Sequence, residues 1–250
     1  MFRIIARIAV VCIFGSFVAS QCAAAVPTTE AELRTAIEAA SKNLIDLSAT
    51  LTVKEKNKEA IVKVDEGYAR MYEFQTANIQ IKIPDKIRIE SKLGMVKMEY
   101  IIAGGKKIFR APKIKMNRSD DYSHAPAKLQ RPLDFGIVTP LMWDSRKVEV
   151  VDDADALANN EIKVKLTWLV GDRINYAWID ADHFWLKRFE KRDGEDNLIS
   201  RVEFSKPQKI DDVIWMPTVI ELFAPDGDKA GETEYTDIKV NSGLPDSIFK

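Results

Sequence analysis

The chain has 250 residues, 46% of them apolar and 30% charged. These are the proportions of an ordinary folded domain and exclude both a disordered chain and a multi-span membrane protein. Its 37 basic and 38 acidic side chains leave a formal charge of −1, without the concentrated positive charge that binding to nucleic-acid phosphates requires.

The first 25 residues read as a secretory signal peptide. Arg3 and Arg7 supply a positive start, Ile8 to Phe17 form an apolar core too short for a comfortable transmembrane span, and Ala23-Ala24-Ala25 make a small-residue cleavage site before Val26-Pro27. Gln21 stands where a lipidation signal would need a small residue before Cys22, so release as a soluble protein is expected. Both cysteines, Cys12 and Cys22, fall in this leader. The mature chain would then carry neither a disulfide nor a thiol nucleophile. Without Arg3 and Arg7 the balance is 35 basic against 38 acidic side chains, a charge of −3.

Thr29-Glu30-Ala31-Glu32 has the spacing of a capping box. Leu33, Ile37, Ala40, Leu44 and Leu47 follow at steps of four and three, which predicts one amphipathic helix over roughly Glu30 to Leu47. From Ala49 onward the pattern is that of strands, with Leu51 and Val53 alternating and a mixed run from Ile61 to Phe74 around Gly67. Ile79, Ile81 and Ile83, then Ile87 and Ile89, then Val96, Met98, Tyr100 and Ile102 each keep one parity. Pro84-Asp85, Leu93-Gly94 and Gly104-Gly105 interrupt them. Period-two alternation with short breaks is the mark of an antiparallel meander with one buried face. Lys106 to Arg110 and Lys113 to Arg118 read as a hairpin across Ala111-Pro112.

Ser119 to Asp134 is polar and aperiodic, a loop. Phe135 to Trp143 (FGIVTPLMW) is apolar but irregular, suited to a short helix or an ordered loop. Lys147 to Val151 reads as a strand and Asp152 to Asp155 as a connection. Ile162, Val164, Leu166, Trp168 and Val170 alternate strictly. Ile174, Tyr176 and Trp178 continue on one face past Gly171-Asp172, and further strands follow around Phe189, Phe204, Ile220 and Glu232 to Val240. The expected fold is one mainly β domain over residues 26–250, about 11 antiparallel strands forming a barrel or a strongly curved open sheet.

No G-x-S-x-G, H-E-x-x-H, phosphate-binding loop or dinucleotide fingerprint occurs. His124 lies in the polar loop. His183, beside Asp180 and Asp182, reads as a turn residue. Asp152, Asp153 and Asp155 lack the glycine and distal glutamate of an EF-hand. No catalytic residue, metal ligand or cofactor is expected. Trp168, Tyr176, Trp178 and Phe189 serve equally well as ordinary core or as the lining of a ligand space. A single amphipathic helix covers only part of a large curved face, which favours the ligand space.

The segments IQIKIPDKIRIE and GGKKIFRAPK and the ending WMPTVIELF … TEYTDIKVNSGLPDSIF resemble the LolA-like family of periplasmic lipoprotein carriers and lipoprotein-sorting proteins. So do the exported start and the helix before the first strand. The resemblance implies an incomplete barrel whose apolar concave face is covered by the amphipathic helix and a short lid. It implies a monomeric periplasmic carrier of lipoprotein acyl chains or other lipid, working between an inner-membrane donor complex and an outer-membrane acceptor. The lid would fall at Gly136 to Trp143, with Leu141 and Met142 as contacts. In studied carriers a basic residue precedes the proline of this meander and hydrogen-bonds the lid; here it is Ile83, before Pro84, which cannot make that bond. By strand parity the expected ligand-binding residues are Ile81, Ile83, Ile89, Met98, Tyr100, Leu141, Met142, Leu166, Trp168, Tyr176 and Trp178. The alternative is a non-transport envelope protein of the same fold that binds a protein partner in a regulatory or structural role.

Overall fold

The computed structural model describes residues 26–64 and 72–250. The leader read over 1–25 and part of the run around Gly67 lie outside the described residues. Thirteen strands form one sheet: Asp46–Lys56 (β1), Thr76–Lys82 (β2), Lys86–Leu93 (β3), Val96–Ala103 (β4), Lys106–Ala111 (β5), Met116–Asp121 (β6), Arg146–Val150 (β7), Glu161–Trp168 (β8), Ile174–Asp180 (β9), Leu186–Arg192 (β10), Leu198–Ile210 (β11), Ile214–Phe223 (β12) and Lys229–Val240 (β13). Their order across the sheet is β6-β5-β4-β3-β2-β1-β13-β12-β11-β10-β9-β8-β7, with every neighbouring pair antiparallel. The sheet does not close: β6 and β7, consecutive in sequence, are its two rims. Both rims carry charged side chains, among them Arg118, Asp120, Lys147 and Glu149, which discourage pairing with another chain.

The first helix, α1, spans Glu30–Ser41. Its capping box forms: the Glu32 amide donates to Thr29 Oγ1 at 3.3 Å and the Thr29 amide to Glu32 Oε2 at 3.1 Å. Leu33 and Ile37 are fully buried on the inner face of the sheet. The helix stops before the expected Leu47. Ser41 turns its hydroxyl back onto the Ile37 carbonyl at 2.7 Å, a local bond that competes with helix continuation. Leu47 is instead a strand residue, paired with Ile81 on one side and Val240 on the other.

The run beginning at Ile61 holds a helix rather than a strand. The short helix α2 covers Lys58–Val64 and buries Ala60, Ile61 and Val64, the one-face spacing of a helix. A third helix, α3, covers Ala154–Ala158, capped by Asp153 whose carboxylate accepts from the Ala156 amide at 3.0 Å. The second strand of the Lys106 hairpin lies a few residues later than expected, because Pro112–Ile114 forms a 3₁₀ turn and β6 then takes Ser119 to Asp121 from the predicted loop.

The meander matches its alternation. Ile81 pairs with Ile87, Ile79 with Ile89, Ile87 with Ile102 and Ile89 with Tyr100, all on the inner face. The segment between the rims crosses that face as irregular chain with 3₁₀ turns at Pro132–Phe135 and Pro140–Trp143. It buries Leu129, Leu133, Phe135, Ile137, Val138 and Met142 in the same core as α1 and α2. The Tyr235 hydroxyl on β13 donates to the Phe135 carbonyl at 3.3 Å. Gly136 has φ +82°, and a Cβ there would stand 2.7 Å from Pro217 Cγ and 3.1 Å from the Phe204 ring, so only glycine lets the segment approach β11 and β12 this closely.

At the seam between the first and last strands, Asp46 is 1% exposed. Its carboxylate accepts from the Ser242 amide and hydroxyl and from the Gly243 and Leu244 amides at 2.8–3.2 Å. The C-terminal turn Asp246–Phe249 then packs outside β3 and β4, tied by Asp246 to Lys82 (2.8 Å) and Lys86 (3.0 Å). No helix among the described residues is long and apolar enough to cross a membrane.

Candidate functional site

Among the described residues, at least two openings interrupt the packing between sheet and cover. The first is an open groove of about 460 Å³, lined by Arg34 of α1, Ile83 and Pro84 of the β2–β3 turn, and Thr139, Pro140, Leu141, Trp143 and Asp144 of the cover. Its walls are mainly apolar. The cover is latched to the helix here: the Trp143 indole N–H donates to Glu30 Oε1 at 2.9 Å, and the Arg34 guanidinium lies 5.6 Å from the Trp143 ring. Ile83 therefore faces the cover across apolar surface, where it can contribute packing but no hydrogen bond.

The second opening, of about 310 Å³, lies between the cover and β7–β11 and is polar. Trp168, Asn175, Lys191 and Ser200 line it from the strands, with Arg146 at the start of β7 and Ala127 to Gln130 and Asp134 from the cover. Burial pushes the Asp134 carboxyl up, but the Lys191 ammonium at 2.6 Å and the Arg131 amide more than offset this, and the group lies below the usual carboxylate range.

The predicted site residues do not all converge. Ile83 and Leu141 meet in the first groove, and Trp168 lines the second opening. Ile81, Ile89, Met142 and Leu166 are buried in the inner-face core. Met98 and Tyr100 share the inner face near the β6 rim, half-buried, with Tyr100 4.8 Å from the Phe109 ring. Tyr176 and Trp178 are a correction: they lie on the outer face. The register pairs Leu166 with Asn175 and Val164 with Ala177, so the inward positions of β9 are Asn175, Ala177 and Ile179. A one-residue shift of parity exchanges the two faces. Outside, the two aromatics are clasped by cations, Lys163 at 5.5 and 5.2 Å from their respective rings, Arg188 at 5.0 Å from Trp178 and Arg192 at 5.4 Å from Tyr176.

Arg146, Asn175, Lys191 and Ser200 escaped the sequence reading. The available signal was polar residues at inward parity on strands whose other inward residues are apolar. Asp180, Asp182 and His183 do converge, with ligand-capable atoms within 4.8 Å of one another. Asp180 Oδ1 is already engaged by the Asp182 and His183 amides at 3.2 and 2.8 Å, and the His183 ring lies 4.4 Å from that of Trp215, tilted by 46°. This is the geometry of a turn.

No protein-family model and no curated protein matches the sequence. Solved structures share its fold. An outer membrane lipoprotein-sorting protein domain, so described, from Vibrio parahaemolyticus superposes with TM-score 0.59 at 11% identity, covering 88% of this chain and 95% of that one. A DUF1329 family protein from Desulfovibrio piger gives TM-score 0.55 at 13% identity, over 88% and 95% of the two chains. A LolA superfamily protein from Nitrosomonas europaea gives 0.52 at 12% identity, over 87% and 97%. The chain has the LolA-like fold, an open antiparallel sheet with few helices.

Proposed function

We propose that the mature chain, residues 26–250, is a periplasmic carrier that shields the acyl chains of a lipoprotein or another lipid from water and moves them toward the outer membrane. It does no bond chemistry. The observation that carries this reading is the apolar groove between α1, the Ile83-Pro84 turn and the Pro140–Trp143 cover, in a fold shared with a domain described as lipoprotein-sorting. The Pro140–Trp143 end of the cover, latched to α1 by one indole hydrogen bond and apolar contact, can move aside and extend the groove over the half-buried Met98 and Tyr100. Each methylene taken from water contributes about 0.8 kcal/mol, so roughly ten contribute about 8 kcal/mol, the scale of a micromolar affinity before the entropy of association is subtracted. An inner-membrane donor complex and an outer-membrane acceptor are the corresponding partners.

A second reading has its own support. The inner face is densely packed by α1, α2 and the cover, while Leu93, Met95, Ile114 and Met116 stand exposed at the turns after β3 and β5, Met95 being 83% exposed. A protein that docks another envelope protein through that end would have these features.

Native mass spectrometry of the protein purified from periplasm without detergent separates the two. A bound acylated peptide or lipid supports the carrier. An apo mass that persists after incubation with lipid overturns it and leaves the partner-binding reading.

A further inference from the structure

Arg146 is 6% exposed, and its Nε and Nη1 are both buried without a hydrogen-bond partner. An unsatisfied buried donor on a charged group is costly, typically about 1–3 kcal/mol or more, and native structures keep such groups where something satisfies them. The guanidinium lies 4.1 Å over the Trp168 ring, which fixes its plane but satisfies no N–H. Burial pushes its pKa down to about 10, the nearby Asp134 charge acting the other way, so it keeps its charge at neutral pH.

The opening that Arg146 lines is cationic. Lys107, Lys128, Arg173 and Lys191 line it as well, against the single carboxylate of Asp134 among the described residues, while the guanidinium of Arg192 lies over Tyr176 on the outer face. Asp134 is taken by Lys191 at 2.6 Å, and Arg192 by Glu190 at 2.6 Å. Asn175 accepts the Trp168 indole N–H on Oδ1 at 3.2 Å, which leaves its Nδ2 as a donor. A buried guanidinium with two unpartnered donors, a neutral amide and hydroxyl, and cations at the rim form an arrangement that suits a tetrahedral oxyanion through charge-assisted N–H···O bonds.

We propose that this opening is a binding site for a phosphate group, held by the Arg146 guanidinium, supported by Asn175 and Ser200 and screened at the rim by Arg173 and Lys128. The site is separate from the apolar groove and stands whether or not that groove takes acyl chains. The phosphate can belong to a phospholipid headgroup or be free inorganic phosphate.

The test is calorimetric titration of the mature protein with inorganic phosphate and, separately, with dihexanoylphosphatidylglycerol below its micelle concentration, at two ionic strengths. The expected result is saturable binding of at least one probe that weakens with salt, falls roughly tenfold in Arg146→Gln and falls two- to fivefold, at unchanged melting temperature, in the rim double variant Lys128→Gln/Arg173→Gln. Lipid binding that is tighter than phosphate binding and is competed by phosphate assigns the headgroup, and binding of phosphate alone assigns the free ion. Two results overturn the site: no binding of either probe, as for a cavity satisfied by water, or undiminished affinity in the rim variant. Should Arg146→Gln fail to fold, the rim variant alone carries the decision.

Discussion

The Trp143 indole N–H and the Glu30 carboxylate, 2.9 Å apart, join the cover to the first helix across the apolar groove. Ile83 lines the same groove and offers the cover no hydrogen bond. Trp143→Phe keeps the ring and removes the donor. Because the bond is exposed, the global stability loss should stay near or below about 1 kcal/mol. Amide hydrogen exchange at Leu141, Met142 and Trp143 should accelerate several-fold. Unchanged exchange would mean that the bond does not hold the cover.

Arginine introduced at Ile83 adds a cation facing Arg34, Thr139 and Asp144 across the groove. Ile83→Arg should reduce retention of an apolar fluorescent probe several-fold by filling and charging the apolar wall. Equal retention would show that this groove does not take the probe.

Gly136→Ala forces a Cβ to within 2.7 Å of Pro217 Cγ at a φ of +82°. Overpacking of this kind costs roughly 1–3 kcal/mol, and the left-handed backbone adds to it. Urea denaturation should show a lower midpoint at constant slope. A smaller loss than for alanine at an exposed turn such as Gly94 would refute the close approach.

Asp46→Ala removes a buried acceptor that serves three amides and a hydroxyl. Hydrogen bonds to a charged group contribute about 1.5–3 kcal/mol each and do not add fully, so a loss of roughly 2–4 kcal/mol is expected by denaturant titration. Proteolytic cleavage should begin in the tail after Val240. A tail that stays protected would place its anchoring at Asp246 and its two lysines instead.

Asp134, whose side chain is 13% exposed, has its carboxyl pKa lowered in the fold, with burial opposing and Lys191 and the Arg131 amide prevailing. A depressed carboxyl stabilises the folded state above its unfolded value, about 3.9. That contribution is lost as pH falls below about 4 through the lower folded value. Asp134→Asn should flatten this acid limb while lowering stability at pH 7. An acid limb identical to that of the parent protein would assign it to other carboxylates.

The meander was legible because most of its inward residues, among them Ile79, Ile81, Ile87, Ile89 and Ile102, are apolar and its turns carry Pro or Gly. The β9 strand misled for the opposite reason. Its large aromatics point outward, stabilised by Lys163, Arg188 and Arg192, while the inward set contains Asn175. Hydrophobicity alone cannot set the register of a strand whose outer face is aromatic and cationic. In α2 the helical spacing was present, but seven residues are too few to outweigh the strands on either side. Arg146 was illegible in kind: a single arginine before a strand looks solvent-exposed until the fold buries it beside Trp168.

The two rims of the open sheet are neighbours in the chain, so one stretch of backbone, residues 122–145, is covalently fixed to both lips of the gap that it covers. That stretch is a strap of set length, pinned at its midpoint by Tyr235 and near its far end by Glu30. Spreading the lips draws the strap taut, and slackening it lets the lips approach. The width of the mouth and the height of its cover are thus a single mechanical variable in this protein, and a ligand that displaces one must move the other.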